Sequence, residues 1–327
     1  MAKRHKASKS RRSRRKSKPK YRIRNWAEYT AGLLQRGSIT FWVSEDVIKV
    51  WKARTKGPRK RGGQKLYSDT AIECMLTMRS VFHLPLRAME GFTRSLFELM
   101  NLNLPVADYS TVSKRAKHLI VNLPKTTGKG PIHVVVDSTG LKIFGEGEWK
   151  VRKHGYSKRR TWRKLHLGVN SATQEIQAVV LTEARVDDAE VTPDLLDQTC
   201  EPIEQFSADG AYDKRKVYSA CQERKISKIA IPPRRDARIW QHGNCTAPPL
   251  PRDESLRQIR KVGRKSWKQA SGYHQRSLAE TAMFRFKTIF GDHLQSRALP
   301  QQVTEAAIKC AALNRMTQLG MPDSYRV

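Results

Sequence analysis

The chain has 327 residues, 39% of them hydrophobic, which is enough for a real core and by length suggests about two domains. Lys and Arg number 63 against 30 Asp and Glu, so the net charge is +33. Such a balance points to a polyanionic partner, nucleic acid first. No run of 18 apolar residues and no strongly amphipathic basic helix is present, which leaves the membrane as a poor partner. Five scattered cysteines (Cys74, Cys200, Cys221, Cys245, Cys310) form no C-x-x-C pair, as expected of free thiols in a reducing, cytoplasmic compartment. His242 and Cys245 have ligand-like spacing but lack a second pair, so a zinc site is not expected. The N-terminus is basic without an apolar stretch, unlike a secretory signal.

Residues 1–24 carry thirteen Lys or Arg and no acid. They cannot bury enough surface to fold alone and are expected to form a disordered, DNA-gripping arm. A solubilising tail or a nuclear-import signal would have the same composition. Residues 25–60 read as short helices, and Pro58 to Gln64 as a turn-rich basic hinge. Residues 68–122 read as three helices. Ser68 or Asp69 caps the first, to about Phe82; Pro85 opens the second, to about Asn101; Ser110 caps the third. In the third, Val112, Ala116 and Leu119 share one side and Lys114, Lys117 and His118 the other, with Arg115 at the edge. Helices ending in a basic one suit a helix-turn-helix module, with Lys114 and Arg115 toward DNA. An ordinary three-helix unit with a solvated basic face is the plainer alternative. Residues 25–125 are therefore assigned to a helical DNA-binding region.

The pattern changes at residue 131. Val134–Val136 with Thr139–Phe144, then Trp162–Asn170 and Glu175–Thr182, read as three strands. Pro193–Thr199 and Lys214–Arg224 read as helices, Gln205–Ala208 and Lys228–Ile231 as strands. Strands followed by alternating helix and strand indicate an α/β domain with a mixed sheet, over 131–320. Residues 235–270 lack periodicity and read as an insertion or ordered loop. Helices return at about 272–291 and 301–319.

Asp137 follows His-Val-Val-Val, and a carboxylate at the end of an apolar strand is costly without a cation or hydrogen-bond partners. Asp209 repeats the arrangement after Phe206-Ser207-Ala208. Either alone is more simply a turn-capping Asp. Tyr273, Arg276, Glu280 and Lys287 fall within about 60° of one another at about 100° per residue. Leu278, Ala282, Phe286 and Ile289 lie opposite. By itself this is a surface amphipathic helix.

Together these residues resemble a DDE transposase of bacterial insertion sequences, of the insertion-sequence-five group related to the insertion-sequence-four type. The resemblance rests on Val136-Asp137-Ser138-Thr139-Gly140, on Ala208-Asp209-Gly210-Ala211-Tyr212, and on Tyr273, Arg276, Glu280 and Lys287 at the family spacing. Arg-Asn-Trp-Ala-Glu-Tyr at 24–29 and Lys-His-Gly-Tyr-Ser at 153–157 also look like the family, and the likeness spans about residue 20 to 320. It implies a ribonuclease-H-like catalytic fold in which Asp137, Asp209 and Glu280 are metal ligands. It also implies two Mg²⁺ ions, with Mn²⁺ a workable substitute, and double-stranded DNA as partner: the terminal inverted repeats of the element and the target. Pairing two DNA ends implies a homodimer on DNA. Hard carboxylate oxygens suit such ions, and two of them about 3.5–4 Å apart can serve the attacking and leaving oxygens of an in-line displacement at phosphorus.

Arg276, Lys287 and Tyr273 are expected to contact phosphates, although Arg276 also has the spacing to pair with Glu280. Residues 149–164 hold eight Lys or Arg and three aromatics. Lys153, His154, Tyr156, Lys158, Arg159 and Arg160 of this loop are expected to track the DNA backbone. Trp240 and Trp267 lie where related transposases can stack a flipped base, though packing aromatics are the plainer reading. Asp187, Asp188 and Glu190 read as a helix N-terminal cap. A non-catalytic DNA-binding derivative or a nuclease without joining activity would share much of this composition.

Overall fold

The computed structural model describes residues 20–54, 65–126, 128, 130–143, 162–241 and 248–327. Residues 1–19, the Pro58–Gln64 hinge, the loop with Lys153, His154, Tyr156, Lys158, Arg159 and Arg160, and the His242/Cys245 pair lie outside them.

Strand β1 (Tyr21–Ile23) pairs antiparallel with β8 (Ser324–Arg326), an element too short to leave a sequence pattern. Short helices follow at Trp26–Gln35, Ile39–Trp42 and Glu45–Lys49. The expected three-helix block is found at Asp69–Val81, Leu86–Leu99 and Tyr109–Ala116. Ser68 caps the first by accepting from the Ala71 amide at 3.0 Å. The third is capped by Asp108 rather than Ser110. Its Oδ1 accepts from the Ser110 and Thr111 amides at 2.9 Å, so the first turn starts two residues earlier than read.

Five strands form the central sheet: β2 (Ile132–Ile143), β3 (Trp162–Asn170), β4 (Ile176–Glu183), β5 (Ile203–Ser207) and β6 (Lys228–Ala230), in the order β4-β3-β2-β5-β6. The first three pair antiparallel, whereas β5 and β6 run parallel to β2. Three meandering strands followed by two parallel ones fit a ribonuclease-H-like sheet. A short β7 (His293–Leu294) pairs with the far end of β2.

Helices cover both faces of the sheet. On one, Val135, Leu141, Leu165 and Leu167 pack against Ala279, Met283 and Phe286 of the Ser277–Phe290 helix and Leu313 of the Leu299–Gln318 helix. On the other, Val134, Val136 and Phe206 pack against Leu195 and Val217, from the Thr192–Asp197 and Arg215–Glu223 helices. Residues 235–270, read as irregular, contain helices at Pro251–Val262 and Arg264–Ala270. The first buries Arg252 and Asp253 beside Leu256, so its inward face is partly charged.

The last helix also closes the helical block: Ile308 joins the core of that block, and Thr304 donates to the Ala116 carbonyl at 2.7 Å. Its Asn314 is fully buried, accepts from the Ile176 amide at 2.7 Å, and donates to the Ile176 and Pro124 carbonyls at 2.8 and 2.9 Å. Asn314→Ala would strand those backbone groups, and a loss of about 2–4 kcal/mol is expected in chemical denaturation.

Candidate active site

Alternation along β2 sets the site. Residues 133, 135, 137 and 139 point to one face, that of the Ser277–Phe290 helix, since Val135 packs there. The polar members each take a partner from the 273–290 segment or the turn at its start. His133 Nδ1 meets Gln275 Oε1 at 2.6 Å, Asp137 Oδ2 accepts from Arg276 Nη1 at 3.0 Å, and Thr139 Oγ1 accepts from Lys287 Nζ at 2.6 Å. Arg276 Nη2 also donates to Glu280 Oε1, so one guanidinium holds two of the three expected carboxylates.

Asp137 is not at a strand end, because β2 runs on to Ile143. It stands where the parallel partner stops. Val135 pairs with Ser207, the last residue of β5. Asp137 and Asp209 each lie two residues past that last pair, Asp137 within β2 and Asp209 beyond the end of β5, near enough for their charges to act on one another. Asp209 begins the Gly210–Tyr212 turn, its Oδ1 accepting from the Ala211 amide at 2.8 Å.

Burial pushes the Asp137 carboxyl above its ordinary range, and the charges of Asp209 and Glu280 push the same way against the Ser138 amide bond and Arg276. Burial, then the fields of Asp188, Asp137 and Asp209, also drive the Tyr212 hydroxyl up. Negative potential therefore converges on this corner. Among the described residues, no three His, Cys, Asp or Glu side chains stand close enough to share one metal ion. A cation is nonetheless already bound by two of the carboxylates: the Arg276 guanidinium. All three carboxylates are hard oxygen donors, the ligand type that divalent cations of the magnesium kind take.

Tyr273 and Arg276 do not lie on the α-helix. Gly272, at φ +65°, starts a 3₁₀ turn over Tyr273–Arg276, and the α-helix begins at Ser277. Arg276 Cζ lies 5.9 Å from the centre of the Tyr273 ring. Buried positions on the helix are Ala279, Ala282, Met283, Phe286 and Phe290, while Leu278 and Ile289 are only partly buried. His133, Gln275 and Ser207 escaped the sequence reading. His133 Nε2 meets Ser207 Oγ at 2.8 Å and completes a polar bridge from the sheet to the turn. Its signal was the alternation with Asp137, which a neutral ring does not advertise.

The base-stacking candidates are corrected. Trp267 is only 3% exposed and offers no free face. Trp240 packs against Tyr218 and has the Arg252 guanidinium 4.0 Å from its ring centre. Arg252 itself is buried between Asp213 and Asp253, bonded at 2.8 and 3.2 Å. In the helical block Lys114 is exposed, whereas Arg115 is tied to the Tyr67 carbonyl at 2.9 Å and to Asp69. Asp187 is a cap, accepting from the Ala189 amide at 2.9 Å, and Lys214 neutralises it. Asp188 accepts from Lys164 at 3.0 Å and Glu190 lies 3.9 Å from Lys216.

The mixed α/β sheet with helices on both faces fits a ribonuclease-H-like transposase fold. A family model described as "Transposase DDE domain" matches residues 128–315, more than half the chain, and a second model of the same description matches residues 34–146. The chain belongs to the DDE transposase family and is a transposase. A solved piggyBac transposase synaptic complex with hairpin DNA aligns over 87% of this chain and 73% of that one, at 11% identity and a TM-score of 0.40. That likeness is too low to carry an argument.

Two predictions concern the surroundings of the site. His166 is fully buried, and burial lowers its pKa to about 4 from 6.5. The unfolded chain takes up this proton first, so stability should fall as pH drops from about 6.5 to 4, by about 3 kcal/mol. Urea titrations of His166→Gln should lack that part of the slope. Arg252→Ala leaves Asp213 and Asp253 buried without their cation, and should lower stability by about 3–5 kcal/mol in the same measurement.

Proposed function

We propose that this transposase belongs to the insertion-sequence-five group, binds the terminal inverted repeats of its element, and catalyses metal-dependent DNA cleavage and strand transfer. Asp137, Asp209 and Glu280 are the metal ligands. The observation that carries this is the parallel register of β2 and β5, which sets both aspartates two residues past its last pair, with Glu280 joined to Asp137 through one guanidinium.

Each ligand role follows from its element. Asp137 is anchored by the rigid sheet, its Oδ1 oriented by the Ser138 amide at 2.9 Å. Asp209 is oriented by its own turn. Glu280, with a side chain 53% exposed, comes from the first turn of a helix locked to the core by Phe286 and Phe290. Two bound Mg²⁺ ions, or Mn²⁺ in their place, would activate the attacking oxygen and stabilise the leaving one at phosphorus. Lys287 and Arg276 supply phosphate-binding cations beside them, and Tyr273 backs the Arg276 guanidinium with its ring face.

The surrounding charge extends the same function. Lys114 on the exposed face of the Tyr109–Ala116 helix, the basic loop over 149–164 and the basic arm over 1–24 add sequence-independent grip on phosphates. Residues 25–125 serve as the DNA-binding region and 131–320 as the catalytic domain, working as a homodimer on paired ends. No helix among the described residues is long and apolar enough to cross a membrane. Action on DNA places the protein in the bacterial cytoplasm, at the nucleoid.

Asp137→Ala, Asp209→Ala and Glu280→Ala should each lower metal-dependent cleavage of an inverted-repeat duplex by about three orders of magnitude or more. Gel-shift affinity for that duplex should change only a few-fold. A variant that cuts at the wild-type rate removes its residue from the ligand set. Cleavage without joined products would make the protein a nuclease instead.

A further inference from the structure

Arg276 engages one oxygen of Asp137 and one of Glu280, and so stands between the two carboxylates. The Asp137 Oδ2 atom accepts from Arg276 Nη1 at 3.0 Å, and Oδ1 accepts from the Ser138 amide at 2.9 Å. Glu280 Oε1 accepts from the other terminal nitrogen of the same guanidinium. A magnesium ion needs oxygens at about 2.0–2.1 Å, and it brings two positive charges into the space that the guanidinium fills. Arginine stays charged in either state, and its Tyr273, Asp137 and Glu280 surroundings outweigh burial and push its pKa higher still. The two cations therefore exclude one another by volume and by charge.

The turn that carries Arg276 is fixed from below, so exchange asks only the side chain to move. His133 on β2 holds Gln275 at 2.6 Å, and Gln205 on β5 donates to the Ser271 carbonyl at 2.8 Å. The Tyr273 ring centre stands 5.9 Å from Arg276 Cζ, a face on which a displaced guanidinium can rest.

We propose that Arg276 is a resident counter-cation that divalent metal must displace, and that DNA phosphate draws it away, so that metal loading and DNA binding assist each other. This rests on Asp137 and Glu280 being metal ligands. Reciprocity is then required: whatever factor DNA adds to metal affinity, metal adds to DNA affinity.

The test measures Mn²⁺ binding to the full chain by electron paramagnetic resonance, with and without an inverted-repeat duplex. Without DNA, Arg276→Gln should bind Mn²⁺ about tenfold more tightly than wild type, the scale of one charge-assisted pair. Arg276→Lys, which cannot fork across two carboxylates, should fall between them. Adding the duplex should tighten Mn²⁺ binding in wild type and leave Arg276→Gln nearly unchanged. If Arg276→Gln binds Mn²⁺ as weakly as wild type or more weakly, with an unchanged thermal midpoint, Arg276 is a structural tie and the exchange is wrong. Should the Gln variant fail to fold, the Lys variant decides: unaltered or weaker Mn²⁺ binding overturns the proposal. Asp137→Asn and Asp209→Asn separate the two ideas. Should they bind Mn²⁺ like wild type, the metal site itself lies elsewhere.

Discussion

Gathering carboxylates at one corner of the sheet, with Asp137 withdrawn from water, is the constraint around which this molecule is organised. Like charges withdrawn from water repel one another, and the raised pKa of Asp137 registers both burial and the neighbouring acids. Such a corner persists only if the frame holding it is stiffer than the repulsion, or if a cation is present. Both are found here. The frame is the parallel pairing of β2 with β5, and the cation is the Arg276 guanidinium.

The frame is in turn held by buried polar bonds as well as by apolar contacts. The Leu299–Gln318 helix runs behind the sheet and into the helical block, carrying Asn314, Glu305 and Lys309 in its buried face. Glu305 accepts from the Gln295 and Ser296 amides at 2.9 and 2.8 Å and from Lys309 at 2.8 Å. These bonds tie the end of the Ser277–Phe290 helix connection to the last helix. The position of Glu280 relative to β2 is therefore a property of the whole core.

Much of the fold was legible because its signals are local. The apolar run at Val134–Val136, the β-rich stretch at 162–170 and the Ser68 cap each act within a few residues. Where the inward face was partly charged, as at Arg252 and Asp253, two helices went unseen. The tryptophans failed for a related reason: composition shows an aromatic but not which faces are covered. Trp267 is buried and Trp240 is occupied by Arg252.

For the site, the sequence by itself named Asp137, Asp209 and Glu280 as candidates with Tyr273, Arg276 and Lys287, through the family resemblance rather than through spacing alone. Only the tertiary structure decided how they meet. It set Asp137 mid-strand within reach of the Asp209 charge, placed Tyr273 and Arg276 on a 3₁₀ turn, and brought His133 under Gln275. The first and last of those relations join residues more than seventy positions apart. Strand register and helix packing create them, and neither is written in any local pattern.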